Sequence, residues 1–288
     1  MPKHLPAFVT LLAYLTMAAP ALADWKRYEN DYFVVYSQGK SKVVEQLVRE
    51  LELFRAAALQ VFSVSAPDDA PKTMVVIAKN RKEYRDFGGS DRIDGFARRE
   101  GAQTLIVISA SGMASRNMRT ARHEYAHALL GYSEIDYPNW YEEGFAELAS
   151  LIDIDEESES FVLGLGTRRR IGARVLAVPW NQLIEDDFNL HRLPGMAASN
   201  AYGQAWLLMH FLAIGPDREN AQRLGAYLAS VRQGTPSAEA FQAAFGRMPD
   251  DIWQNEMQGY SEQLPYYRLR FRGLTPVSYT HLRAHETL

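Results

Sequence analysis

The amino-acid sequence predicts an α+β fold, with a mixed N-terminal α/β half on a small sheet followed by a mostly helical C-terminal half. Two observations carry this prediction. Short runs rich in β-branched and aromatic residues are confined to the chain before Ala110. From Ala114 onward, apolar residues instead recur at three- and four-residue spacing. A third observation bounds the source of stability: there is no cysteine, so the fold rests on its core and on any bound metal. At 288 residues, 47% hydrophobic and 23% charged, the chain is large enough to bury a substantial core.

At the N-terminus, Lys3 precedes an apolar stretch from Ala7 to Ala19, then Pro20 and the triplet Ala21-Leu22-Ala23. That is the pattern of a signal peptide over residues 1–23, because the run falls short of the roughly 20 apolar residues that span a bilayer. The expected product is exported, periplasmic or extracellular, and not membrane-spanning once the signal is cleaved. Removing Lys3 leaves 30 basic against 35 acidic side chains. The only basic run, Arg168 to Arg170, is short and lies near glycines, so nucleic acid is not an expected partner.

The opposite end is of another kind. Val277 to Thr287 reads VSYTHLRAHET, has neither helical nor strand periodicity, and matches a translation of a transposon-end sequencing adapter. Residues 276–288 are therefore expected to be foreign and to pack against nothing, which sets His281 and His285 aside as ligands. The native domain is expected over residues 24–275, its α/β part over 24–112 and its helical part over 113–275.

Within that domain, Asp31 to Ser37 reads as a strand. Lys40 to Phe62 reads as an amphipathic helix, with Val44, Leu47, Leu51, Phe54 and Ala58 on one face. Thr73 to Ala78 is a buried strand ended by the polar turn Lys79-Asn80-Arg81. Gly88 to Asp94 is a loop, and Gly95 to Arg98 and Thr104 to Ser109 are strands separated by Glu100-Gly101. The helices expected after them are Ser115 to Leu130, Trp140 to Ile152, Pro179 to Asp186, Ala201 to Ala213, Asp217 to Val231, Ser237 to Phe245 and Asp250 to Gln263.

The chemistry concentrates in two motifs. His123-Glu124-Tyr125-Ala126-His127 is an H-E-x-x-H inside a helical pattern. At about 100° per residue from Met118, the residues Met118, Ala121, Tyr125 and Leu129 form a core stripe, while His123, Glu124 and His127 fall at about 140°, 240° and 180°. Both imidazoles then project from the face opposite the core, one turn apart, where a single ion can bridge them. Downstream, Pro138-Asn139-Trp140-Tyr141-Glu142-Glu143-Gly144 marks a second helix start, with Asn139 as N-cap and Glu142 in the capping-box position. Glu143 and Glu147 share a face turned from the stripe Tyr141, Phe145, Leu148 and Ile152. Glu143 is free to ligate, and Glu147 to hydrogen-bond a ligating imidazole. Gly144 allows this helix to pack closely against the first.

Two histidines and one glutamate leave a zinc position open for water, as in a catalytic site. Glu124 is then placed to act as general base. HEYAH followed by NWYEEGFAEL resembles the gluzincin zinc metallopeptidases, the group of thermolysin and aminopeptidase N, and more closely the small bacterial peptidase MA-like domains. The resemblance implies a zincin-like fold with an active-site cleft between the two halves, one Zn2+ held by His123, His127 and Glu143, and a peptide or protein substrate. It also implies that Glu147 steadies a zinc histidine. In that clan the strand before the zinc helix pairs with the substrate backbone, which points to the edge-strand backbone of Thr104, Leu105, Ile106 and Val107. A tyrosine on a later helix serves as oxyanion donor in some relatives. Here Tyr202 is favoured for that role over the remaining histidines, His191 and His210. Arg99-Glu100-Gly101-Ala102-Gln103 is only a faint echo of the clan's amine-gripping motif, so exopeptidase specificity is not implied. The alternative to a peptidase is a non-catalytic, zinc-stabilised envelope binding module of the same fold.

Overall fold

A computed structural model describes residues 25–272 and 283–285, apart from 63, 65, 68, 92, 102, 111–114, 134 and 167–177; for residues 100, 115–117 and 283–285 it describes the backbone alone. The expected signal peptide, the basic run Arg168 to Arg170 and most of the terminal run lie outside the described residues.

In chain order the elements begin with β1 (Lys26–Glu29), β2 (Phe33–Ser37), α1 (Ser41–Val61), β3 (Thr73–Ala78), α2 (Arg81–Asp86), β4 (Gly95–Glu100), β5 (Gln103–Ser109) and α3 (Ser115–Leu130). They continue with α4 (Asn139–Ser150), β6 (Asp153–Asp155), β7 (Ser160–Leu163), α5 (Trp180–Leu183), a 3-10 turn (Leu190–Arg192), α6 (Gly195–Ile214), α7 (Glu219–Arg232) and α8 (Ser237–Phe245). Then come α9 (Pro249–Ile252), a π-helical turn (Trp253–Met257), α10 (Gln258–Tyr260), β8 (Tyr267–Arg270) and β9 (Arg283–His285). The architecture is mixed α+β, as the sequence predicts. Two compact units share these elements, one of Met1–Arg55, Ser65–Tyr132 and Gly273–Leu288, the other of Ala56–Val64 and Ser133–Arg272. The helix bearing the histidine motif groups with the sheet in the first unit.

The first unit is built on a sheet of order β4-β5-β3-β2-β1-β9. Strands β2, β3 and β5 run parallel, while β4 and β1 run antiparallel to their neighbours. The interior strands TMVVIA and QTLIVIS are apolar almost throughout and buried almost throughout, as parallel strands covered on both faces must be. Helix α1 buries Val44, Leu47, Leu51 and Phe54. Helix α3 buries Ala121, Tyr125 and Leu129, the stripe read from the sequence, with Met118 half-buried. The Tyr125 ring lies 4.9 Å from Phe33 and 6.2 Å from Phe54.

Three elements of this unit depart from expectation, the first being β1, which the sequence pattern does not announce. Lys79-Asn80-Arg81 opens a helix as well as ending a strand, because the Asn80 side chain accepts from the Glu83 amide at 2.9 Å and caps α2. The terminal run does not stand clear of the fold. The backbone of Arg283–His285 pairs antiparallel with Arg27–Glu29 of β1. Strand β1 otherwise ends the sheet, and an exposed edge accepts any extended segment through main-chain hydrogen bonds, whatever its side chains.

In the second unit, α6 is apolar nearly all round and buried from Gly203 to Leu212. Helix α4 packs on it, and Gly144 is the point of approach: a Cβ built there would stand 2.6 Å from the Ala205 carbonyl oxygen and 3.1 Å from the Met209 Cβ. The close approach at Gly144 is made to α6. Trp140 is fully buried and donates from Nε1 to the Tyr227 hydroxyl at 3.0 Å, which shares a 2.8 Å bond with Ser237. A second sheet, of order β6-β7-β8 and antiparallel throughout, has no counterpart in the sequence reading. Trp180 and Trp206 are fully buried packing residues. Among the described residues no helix is long and apolar enough to cross a membrane.

Gly144→Ala is expected to destabilise the protein by about 1–3 kcal/mol, the cost of forcing extra volume into a close-packed contact whose nearest atom is backbone. Chemical denaturation of both proteins measures this. An unchanged midpoint would show that α4 and α6 do not approach so closely.

Candidate metal centre

Burial of Ala121, Tyr125 and Leu129 fixes the rotation of α3, so its opposite face carries His123, Glu124 and His127, all half-exposed. The Nε2 atoms of the two histidines stand 3.3 Å apart, with ring centroids at 4.9 Å and planes at 78°. One helical turn of separation thus aims both nitrogens at a common point. Glu124 lies close enough to Tyr84 that its charge, after burial, helps push the Tyr84 hydroxyl up to about 12.

Helix α4 is buried on nearly every side, including the face with Glu143 and Glu147, which are 2% and 6% exposed. One donor atom from each of His123, His127 and Glu143 lies within 4.8 Å of the other two, so this His/His/Glu group can hold a metal ion. Two imidazole nitrogens and a carboxylate oxygen suit zinc. They also suit other first-row divalent ions, and the donor set alone does not select among them.

The local reading of the α4 start needs correction. Pro138 occupies the N-cap position, with no side-chain capping bond, and Asn139 is the first helical residue. The Asn139 side chain instead accepts from the Leu190 amide at 2.8 Å. No capping box forms, although Glu142 remains in the first turn, where its charge complements the helix terminus.

That clamp brings in His191, which the sequence offers only as an alternative to Tyr202 as oxyanion donor. His191 Nε2 lies 3.1 Å from Glu143 Oε1, and His191 Nδ1 lies 2.8 Å from the Tyr202 hydroxyl. Tyr202, the expected oxyanion donor, therefore places its hydroxyl on His191. The available signal was Asn189, two residues before His191, whose side chain accepts from the His191 amide at 2.9 Å and starts the turn. His210 is fully buried, with Nδ1 2.5 Å from the Tyr260 hydroxyl and Nε2 3.0 Å from the Gly164 carbonyl. It ties α6 to the end of β7.

The expected substrate strand is also corrected. Thr104, Leu105, Ile106 and Val107 do not form an edge: they pair with Arg99, Arg98, Ala97 and Phe96 of β4, and Leu105 to Val107 pair on the other side with Met74 to Val76 of β3. The hairpin at Glu100-Gly101 folds β4 back along the free side of β5, so β4 ends the sheet. No family model matches this chain, and no curated protein matches it.

His210 carries a prediction for pH. Burial depresses its pKa to about 4 against an ordinary 6.5, and the bond to the Gly164 carbonyl opposes that shift only in part. The folded protein holds the neutral ring, whereas the unfolded chain takes up a proton as pH falls below about 6.5. Stability from this residue is thus complete above about pH 6.5 and is lost as pH falls toward 4, by about 3 kcal/mol in all. Denaturation curves between pH 7 and pH 4 should show a shallower decline for His210→Gln than for the parent. Parallel curves would place the ionisation elsewhere.

Proposed function

We propose that this protein is a zinc-dependent peptidase that holds the ion with His123, His127 and Glu143 and uses Glu124 as general base. The observation that carries the reading is the convergence of those three donors, with an acidic residue beside the first histidine on the same helix face. A purely structural site has no use for a base at that position. The resemblance of HEYAH and NWYEEGFAEL to the gluzincin motifs supports the same conclusion.

Zinc bound there would polarise a scissile carbonyl and acidify a water molecule. Glu124 takes the proton of the attacking water and delivers it to the leaving amine, which needs a carboxylate within hydrogen-bond reach of both. Glu147, one turn beyond Glu143 on α4, steadies a ligating imidazole. Strand β4, last in the sheet among the described residues, is in this reading the strand that pairs with an extended peptide in place of β5. The reading includes export after cleavage at Ala23.

Elemental analysis of the purified protein should find about one zinc per chain, and a mixed peptide library should be cleaved. Glu124→Gln should keep the metal and lose activity by about 10²–10⁴-fold, since the amide keeps the shape without the basicity. Metal binding without hydrolysis in the parent would favour the binding module. Metal content well below one, and not restored by added zinc, would overturn both readings.

A further inference from the structure

We infer that His191 is a positioning residue for the metal centre: through Nε2 it fixes the Glu143 carboxylate, and Tyr202 in turn fixes His191. The inference rests on reading the His/His/Glu group as a metal centre. It concerns a contact wholly among α4, the 3-10 turn and α6.

The geometry is that of a two-point grip. Asn139 and Glu143 sit four residues apart on one face of α4 and hold two successive residues of the turn, Asn139 taking the Leu190 amide at 2.8 Å and Glu143 meeting the His191 ring at 3.1 Å. Leu190 is fully buried and anchors the turn, while Asn189 holds the His191 amide at 2.9 Å. The His191 side chain itself is 56% exposed. Its hydrogen bonds to Glu143 and Tyr202, with the edge-on Tyr202 ring, orient this half-exposed ring.

Their directions are set by chemistry. An ionised carboxylate only accepts, so Nε2 carries a hydrogen and donates to Glu143 Oε1. In the neutral ring, Nδ1 then keeps its lone pair and accepts from the Tyr202 hydroxyl. Tyr202 thus selects the tautomer that can reach Glu143, and His191 sets the rotamer of the carboxylate. His191 meets the carboxylate directly at Oε1, and the donors within 4.8 Å of one another are those of His123, His127 and Glu143; on this geometry we assign His191 to the carboxylate. Partners of this kind hold a ligand in its binding orientation, and their removal lowers metal affinity about 10–100-fold.

The test is Co2+ and Zn2+ affinity, measured by chelator competition together with the visible Co2+ spectrum, in the parent, His191→Phe, His191→Gln, Tyr202→Phe and the Phe/Phe double variant. Thermal melting of each metal-free protein checks the fold. His191→Phe should lose about 10–100-fold in affinity. His191→Gln, which keeps a donor near the Nε2 position, should recover most of that loss. Tyr202→Phe should lose less than His191→Phe, and the double variant no more than His191→Phe, because Tyr202 acts through His191. Parent affinity in His191→Phe, no rescue by glutamine, or losses that add in the double variant would overturn the inference and leave the metal site standing. A parent that binds neither ion overturns the metal reading and this inference together. Should His191→Phe fail to fold, Tyr202→Phe decides, and parent affinity there overturns the proposal.

Discussion

The rotation of one helix governs the chemistry available to this chain. Helix α3 seats Tyr125 against Phe33 and Phe54, with Ala121 and Leu129 buried on the same stripe. A helix cannot turn one face inward without fixing the direction of the others, so this packing places His123, Glu124 and His127 on the half-exposed side. Removing the tyrosine ring would cost about 3–5 kcal/mol by analogy with other large aromatic truncations. That is several times the worth of any single polar contact at the two histidines. Core packing therefore sets the geometry of the imidazoles, and the imidazoles do not set the packing.

Helix α4 is governed differently, because nearly all of its surface is covered. Its position comes from the absence of a side chain at Gly144 against Ala205 and from the buried bond of Trp140 to Tyr227. Glu143 inherits its place from these contacts. An ionised carboxylate at that depth is costly unless charge and hydrogen bonds surround it. His191 supplies one such contact, and a cation bound by the His/His/Glu group would supply another.

Legibility in the sequence followed the range of the interaction concerned. Helices with strong periodicity were readable to within a residue, as at Ser115–Leu130 and Ser237–Phe245, because local spacing alone fixes which side is buried. The shared face of His123 and His127 was readable for the same reason, whereas the approach of Glu143 to them, which makes a group able to hold a metal ion, is a long-range contact that spacing does not encode. Strand order was not: the run at Thr104 announces a strand but does not say which neighbours it pairs with, and the hairpin to β4 made it interior. The strands β6, β7 and β8 are three or four residues long, too short to show a period. Pairing of Arg283–His285 with β1 was invisible in principle, since main-chain hydrogen bonding does not depend on side-chain pattern.

The misreading of Asn139 shows how competing polar demands are resolved at the site. Used as an N-cap, the side chain would contribute about 1 kcal/mol to its own helix. The Leu190 amide makes a part-buried contact, and a donor left unsatisfied on burial costs about 1–3 kcal/mol. The larger penalty decides, and Pro138, which has no amide hydrogen and stands at φ −58°, begins the helix without side-chain help. The consequence extends past one hydrogen bond. By giving up its local role, Asn139 draws the turn at Asn189–Arg192 onto α4, and the next residue in that turn is the histidine whose ring meets Glu143. A rule of local capping fails here because a long-range contact outbids it, and it fails at the residue that joins the turn to the helix of Glu143.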